Sequence, residues 1–233
     1  MCRPVTKPRI GLTERSPRAL RPILHALEQA GGDPVVFGLL SPREDLRRSL
    51  ETVRGVVLPG GAGMDWIWRR ERRPGGRVAS GELGWRDFQG TDILLARWSL
   101  EAGIPVLGLC RGAQMMALAD DGELARDVPH HELPDFPAHD VMVEPGSRLR
   151  DCLGRSVLAV NSRHKRAVSS LPDTSRLRQT AWAVGDGVVE GIEGVGSAFA
   201  VGVQFHPEDL VDIDVPSRSL FATFVAACRE RSE

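Results

Sequence analysis

The chain lacks an excess of charge of either sign. Its 30 Lys and Arg face 31 Asp and Glu, for a net charge of -1. A nucleic-acid-binding protein would normally carry a basic surplus. It also lacks any apolar run near the roughly 20 residues that span a bilayer. The segment Met1-Cys2-Arg3-Pro4-Val5-Thr6-Lys7-Pro8 is positively charged but is followed by no apolar stretch, so no secretory signal is read there. Cysteines are few, and none of Cys2, Cys110, Cys152 and Cys228 forms a Cys-x-x-Cys pair. Wide spacing and no export signal make free thiols in a reducing cytoplasm the expectation. Neither an internal repeat nor an interdomain linker is visible, so residues 1–233 are read as one domain, long enough for a full core.

What is present is an alternation of short apolar runs and amphipathic segments. Residues 8–12, 34–37 and 55–58 read as strands, and residues 18–30 and 43–50 as helices. Gly31-Gly32 stops the first helix. A helix over 92–102 follows, then a strand from Ile104, and a closing helix over 217–228. Strand and helix in turn predict an α/β fold, with a mostly parallel central sheet flanked by helices. From His139 onward the pattern turns β-like, which predicts an additional small β region.

One stretch organises the rest: Ile104-Pro105-Val106-Leu107-Gly108-Leu109-Cys110-Arg111-Gly112-Ala113-Gln114-Met115-Met116. A buried strand meets a helix at Cys110, with Gly108 and Gly112 on either side. This is the cysteine form of the nucleophile elbow, Gly-x-Cys-x-Gly. The glycines remove Cβ atoms that would clash in so sharp a turn. The helix N-terminus under the sulfur favours thiolate, and the Arg111 N–H points where an oxyanion would form. Cys2, Cys152 and Cys228 lack this setting and read as structural.

A thiolate nucleophile needs a base, and the base an orienting partner. His206 and Glu208 lie two apart at the end of an apolar run, which as a strand would put both on one face. Leu58-Pro59-Gly60-Gly61 ends another run, and its turn can bring a second backbone N–H, that of Gly61, to the reacting carbonyl. All three motifs follow strands, whose carboxyl ends gather at one edge of an open α/β sheet.

Two segments invite other readings. Residues 62–88 hold Trp66, Trp68, Trp85 and the basic cluster Arg69-Arg70-Glu71-Arg72-Arg73-Pro74-Gly75-Gly76-Arg77. They read as a solvated loop or lid, with a groove for an acidic substrate or RNA as the sharper alternative. His130, His131 and His139, with Glu132 and Asp135, make a His- and Pro-rich loop. It has no helical His-x-x-x-His spacing, and prolines oppose fixed ligand placement, so no metal is expected.

Val-Leu-Gly-Leu-Cys-Arg-Gly-Ala-Gln at 106–114, Leu-Pro-Gly-Gly at 58–61 and Gly-Val-Gln-Phe-His-Pro-Glu at 202–208 resemble the class I glutamine amidotransferases, a flavodoxin-like fold. Val160-Asn161-Ser162-Arg163-His164 and Asp186-Gly187-Val188-Val189-Glu190 narrow the resemblance to the γ-glutamyl hydrolase-like peptidase C26 branch. That branch includes γ-glutamyl-γ-aminobutyrate hydrolases. The resemblance implies a Cys110–His206–Glu208 triad and an oxyanion hole from the N–H groups of Gly61 and Arg111. It implies hydrolysis of a γ-glutamyl amide through a thioester on Cys110, without a cofactor. Gly60, Gln114, Asn161, Ser162 and His164 match positions about the bound glutamyl group. Lys165-Arg166 depart from the branch, where His or Gly and then Gln usually follow, so the leaving amine is not carried over. The expected partner is a small γ-glutamyl molecule, with no nucleic acid and no membrane; a second copy of the chain is the other candidate. Two alternatives stand beside this reading: a glutaminase subunit serving a separate synthetase, and a non-catalytic binding protein on the same fold.

Overall fold

The computed structural model describes residues 6–38, 43–61, 88–125, 128–133 and 136–231. Trp66, Trp68, Trp85, the basic cluster at 69–77 and Cys2 lie outside the described residues.

The first half alternates as its pattern predicts: β1 (Arg9–Thr13), α1 (Pro17–Gln29), β2 (Asp33–Phe37), α2 (Arg43–Glu51), β3 (Gly55–Leu58), α3 (Phe88–Ala102), β4 (Val106–Leu109) and α4 (Arg111–Ala119). Pro17 opens α1, where its missing N–H has no helical acceptor to lose. Leu20, Ile23, Ala26 and Leu27 form the buried stripe of α1, and Gly31 leaves it at φ 82°. The second half runs β5 (Glu123–Ala125), β6 (Glu132–Leu133), β7 (His139–Val143), α5 (Arg148–Leu153), β8 (Val157–Val160), β9 (Ser162–Arg163), β10 (Ala167–Ser170), β11 (Leu177–Ala183), β12 (Val189–Gly194) and β13 (Ala200–Val203). A 3-10 turn (Pro207–Asp209) and α6 (Val215–Glu230) close the chain. Asp214 caps α6, its carboxylate accepting from the Ser217 N–H at 2.8 Å.

Nine strands form one sheet in the order β2-β1-β3-β4-β13-β12-β11-β7-β8. Strands β2 to β13 in that order pair parallel; from β13 onward every pairing is antiparallel. The parallel half is the α/β unit read from the sequence, and β13 is the seam where direction changes. The β-like segments from His139 onward, expected as a small additional region, mostly extend the main sheet as β7, β8, β11, β12 and β13; two two-stranded sheets, β5 with β10 and β6 with β9, stand apart from it.

Strand alternation divides the core between two faces. Val57, Leu107, Leu109, Val201 and Val203 pack toward α1 and α6 with Phe221 and Phe224. Val56, Leu58 and Val106 pack on the other face with Ile93, Leu95, Met115 and Met116 of α3 and α4. Strands buried on both faces read as unbroken apolar runs, which is how Val56-Val57-Leu58 and Val106-Leu107 appear in the sequence.

The two elbow glycines have different neighbours. A Cβ on Gly108 would meet the Ala113 nitrogen and the Met116 sulfur, each at 2.7 Å, where α4 starts over β4. A Cβ on Gly112 would lie 1.9 Å from the Leu58 carbonyl oxygen. That oxygen belongs to β3 backbone and cannot swing aside. Gly112→Ala therefore forces α4 away from β3, and urea unfolding should show a loss of at least about 1–3 kcal/mol, the ordinary cost of overpacking. An unchanged midpoint would mean that the helix start shifts freely.

Candidate active site

β3 leads into Pro59-Gly60-Gly61, β4 into Cys110, and β13 through Gln204 and Phe205 into His206. These strands are parallel neighbours, so their carboxyl ends share one edge of the sheet, the usual place for a site in such folds.

Cys110 has φ 51° and ψ -105°. A non-glycine residue in this region is strained and persists only where its surroundings over-determine it. Here the Cys110 N–H donates to the Val203 carbonyl at 2.8 Å, and its carbonyl accepts from the Ala113 N–H at 3.1 Å. The thiol is buried and lies beside His206, close enough to raise the pKa of that ring. Gln204 Nε2 lies 3.5 Å from Cys110 Sγ.

His206 Nδ1 is 2.7 Å from Glu208 Oε1. The two side chains meet differently from the strand-face expectation. β13 ends at Val203, and Pro207–Asp209 is a 3-10 turn. The tight turn, with Asp209 N–H bonding back to the His206 carbonyl at 3.3 Å, folds Glu208 under the ring. A Cβ on Gly60 would lie 3.0 Å from His206 Cε1 and 3.6 Å from Cys110 Cβ, so the glycine turn rests against both. Burial acts to lower the His206 pKa, but the charges and hydrogen bonds of Cys110 and Glu208 outweigh it and hold His206 well above its ordinary value. Cys152 and Cys228 differ: burial pushes both thiols up to about 12, as expected of inert packing cysteines.

The Gly60-Gly61 turn is supported from below. A Cβ on Gly61 would lie 3.1 Å from Nη1 of Arg111. Arg111 Nη2 donates to Asp92 Oδ2 at 3.1 Å. Asp92 is fully buried, pairs also with Arg15, and accepts from Thr13 Oγ1 at 2.6 Å. Sequence reasoning missed Asp92; its signal is a lone carboxylate inside the apolar face of α3.

The residues expected about the glutamyl group have divided roles. Gln114 Nε2 donates to the Arg166 carbonyl at 2.7 Å and to Gln204 Oε1 at 3.0 Å. Gln204, to which the sequence reading assigned no role, thus links Gln114 to Cys110. Asn161 grips the His206 backbone at both ends: its Nδ2 donates to the His206 carbonyl and its Oδ1 accepts from the His206 N–H, each at 2.9 Å. Asn161 is therefore a positioning residue for His206, with both amide groups already engaged. Ser162 Oγ donates to the His131 carbonyl at 2.6 Å, and His164 joins a cluster with His131, His139 and Glu190. Lys165 pairs with Glu132 on the surface at 3.2 Å, and the Arg166 carbonyl holds both Gln114 and His164 Nδ1. The loop reading covers His131 and His139 but could not reveal the cluster, because His164 and Glu190 come from separate segments.

This fold, with its strand-turn-helix cysteine, is that of class I glutamine amidotransferase domains. The glutaminase domain of a CTPS from Trypanosoma brucei, solved with bound acivicin, superposes with a TM-score of 0.70 at 16% identity, covering 97% of this chain and 96% of that one. A glutamine amidotransferase from Thermotoga maritima gives 0.65 at 19%, covering 97% and 100%. The chain belongs to the Peptidase C26 family, whose sequence model matches residues 12–208. Its relative γ-glutamyl-γ-aminobutyrate hydrolase PuuD of Escherichia coli is 32% identical over 222 residues, 88% of this chain and 84% of that protein. Family and relative together place the chain among glutamine amidotransferase-like amide hydrolases.

Two outcomes follow from this geometry. Asp92→Ala leaves Arg15 and Arg111 buried without their carboxylate, and should cost about 3–5 kcal/mol in urea unfolding; a loss under about 1 kcal/mol would mean water replaces the pairing. The His206 imidazolium stabilises the fold fully below its unfolded value of about 6.5, and that contribution is lost as pH rises through the raised folded value. Glu208→Gln removes one of the groups raising it, so the His206 ring signals followed by NMR should titrate at lower pH than in wild type.

Proposed function

We propose that the protein hydrolyses a γ-glutamyl amide by covalent catalysis on Cys110. The observation that carries this reading is the meeting of Cys110, His206 and Glu208, with His206 Nδ1 2.7 Å from Glu208 and the ring and the thiol side by side against Gly60. The relative named γ-glutamyl-γ-aminobutyrate hydrolase supports the γ-glutamyl part.

Cys110 Sγ attacks the γ-carbonyl carbon as the proton rests on His206. The oxygen becomes an oxyanion facing the N–H groups of Gly61 and Arg111, one on the turn after β3 and one at the start of α4. The C–N bond breaks, His206 passes its proton to the departing amine, and a γ-glutamyl thioester remains on Cys110. Water then attacks the thioester carbonyl and gives a proton to His206. The C–S bond breaks, glutamate leaves, and the thiol is restored. Glu208 holds the ring orientation and stabilises the imidazolium throughout. Gln204 and Gln114 bind and orient beside the sulfur.

The test is glutamate release from a panel of γ-glutamyl amides, glutamine included, with mass spectrometry of the protein. Wild type should release glutamate from one or a few substrates and carry a γ-glutamyl adduct on Cys110 when quenched. Cys110→Ala should lose at least about 10³-fold in kcat, and His206→Ala at least about 10²-fold. Release from glutamine alone, rising with an added synthetase, would replace this reading with an ammonia-supplying subunit. Neither release nor adduct on any substrate would leave a binding protein on this fold.

A further inference from the structure

Beside the nucleophile lies a second buried constellation that the proposed reaction does not use. Glu190 in β12 places Oε1 3.2 Å from His131 Nδ1, 3.3 Å from His164 Nε2 and 3.6 Å from His139 Nε2. His131 Nδ1 and His164 Nε2 are 3.2 Å apart. The facing atoms of all four side chains lie within 4.8 Å of one another.

The outward sides of the rings fix their tautomers. His131 Nε2 is 3.0 Å from Asp186 Oδ2. His164 Nδ1 is 3.1 Å from the Arg166 carbonyl, and His139 Nδ1 is 3.4 Å from the Asp140 carbonyl. Carbonyls and carboxylates accept only, so each outward nitrogen carries the hydrogen. In a neutral ring the inward nitrogen is then a lone pair. With all three rings neutral, three lone pairs and a carboxylate oxygen face one point; a hydrogen shared between His131 Nδ1 and His164 Nε2 is the other way to fill it. Both oxygens of Glu190 and Nε2 of His139 are buried and have no hydrogen-bond partner among the described residues. An arrangement of converging acceptors in a water-excluded place lacks a positive charge at its centre.

The geometry points to a single bound zinc ion held by His131 Nδ1, His139 Nε2, His164 Nε2 and Glu190. Zinc–nitrogen and zinc–oxygen bonds of about 2.0–2.2 Å at tetrahedral angles set ligand atoms about 3.3–3.6 Å apart. The four separations quoted above fall on or within about 0.1 Å of those edges, and the two remaining, both to His139, close on binding. Three imidazoles and one carboxylate suit zinc over magnesium or calcium, which take oxygen. Outward acceptors on each ring are the usual support of histidine ligands to a metal. With four protein ligands and little exposure, the ion is structural and has no open position for substrate.

Its place explains what it would brace. The Glu190 carbonyl accepts from the Gln204 N–H at 2.9 Å, and Gln204 reaches Cys110. The His131 carbonyl accepts from both the His164 N–H and Ser162 Oγ, next to Asn161, which grips His206. The ion ties together the segments that place the base and the polar side chains beside the sulfur.

Metal content should be measured on Cys110→Ala protein, so that the thiol holds no ion, after loading with zinc chloride and gel filtration. About one zinc per chain is expected, falling to near zero in Cys110→Ala/Glu190→Gln and unchanged in Cys110→Ala/His130→Ala, where His130 is an exposed neighbour outside the cluster. Chelation should lower the melting temperature and zinc should restore it. Loading the otherwise unaltered Cys110→Ala chain with cobalt(II) should produce the intense visible absorption of a tetrahedral ion, a readout that no folding defect of a ligand variant disturbs. Less than about 0.1 zinc per chain with no cobalt spectrum, or equal zinc with and without Glu190, would overturn the assignment; the first result would mean that protons alone hold the cluster together. None of these readings depends on γ-glutamyl turnover.

Discussion

The close approach of the α4 start to β3 is the constraint on which the rest depends. Gly112 stands where any side-chain atom would enter the Leu58 carbonyl, and Gly108 clears the space beneath the same helix turn. Only with both positions bare can the chain turn at Cys110 with φ 51°. The strained residue is held by ordinary backbone bonds to Val203 and Ala113. The strain is thus met by strand pairing and helix initiation, interactions that the fold makes in any case. Because β3 lies against α4, the Gly60-Gly61 turn that follows β3 comes to rest over the cysteine without further design.

Two buried polar networks flank this turn, and they act on different parts of it. Below Gly61, Asp92 joins Arg15, Arg111 and Thr13, fixing the residue whose N–H would face the oxyanion. Behind His206, Asn161 holds the main chain while Glu208 holds the ring. Such networks contribute little net stability for the charge they bury. What they confer is position: an imidazole set at both backbone and ring cannot drift from the sulfur. At Cys152 and Cys228, burial in the apolar core outweighs the arginines near them and pushes both thiols up, so the same side chain stays inert.

Much of this was legible in the residues. The elbow was readable because a single turn carries its whole requirement, two missing Cβ atoms around one cysteine. The parallel half was readable because strands buried on both faces leave apolar runs between amphipathic helices. The relation of His206 to Glu208 was legible as a pair but not as a geometry, since a 3-10 turn and a strand end both bring residues two apart together. Asp92, Gln204 and the clamp by Asn161 were not legible. Their contacts with Thr13, Cys110 and His206 span 45 to 94 residues of chain, and no local period records such a contact. The histidine cluster shows the limit most clearly. Ligand-spacing rules work where one helix or turn supplies the set. Here His131 and His139 belong to one stretch of loop and strand, and His164 and Glu190 reach them from separate segments.

The seam at β13 gives these parts a common cause. On one side β13 pairs parallel with β4, and on the other antiparallel with β12. The parallel neighbour brings Cys110 to the sheet edge beside His206, as the register Val203↔Leu109 requires. On the antiparallel side, the Gln204 N–H bonds to the Glu190 carbonyl just beyond the Gly191↔Val203 pair. Alternation along β13 and its continuation then decides which residues face the sulfur: Val203 and Phe205 are buried in the apolar cluster, and Gln204 turns to Cys110. A one-residue slip of β13 against β4 would exchange those faces, putting Phe205 toward the thiol and Gln204 into the core. Cys110, His206 and the clustered histidines therefore share a single register, and the apolar side chains of β13 that hold it are as necessary to the site as its polar groups.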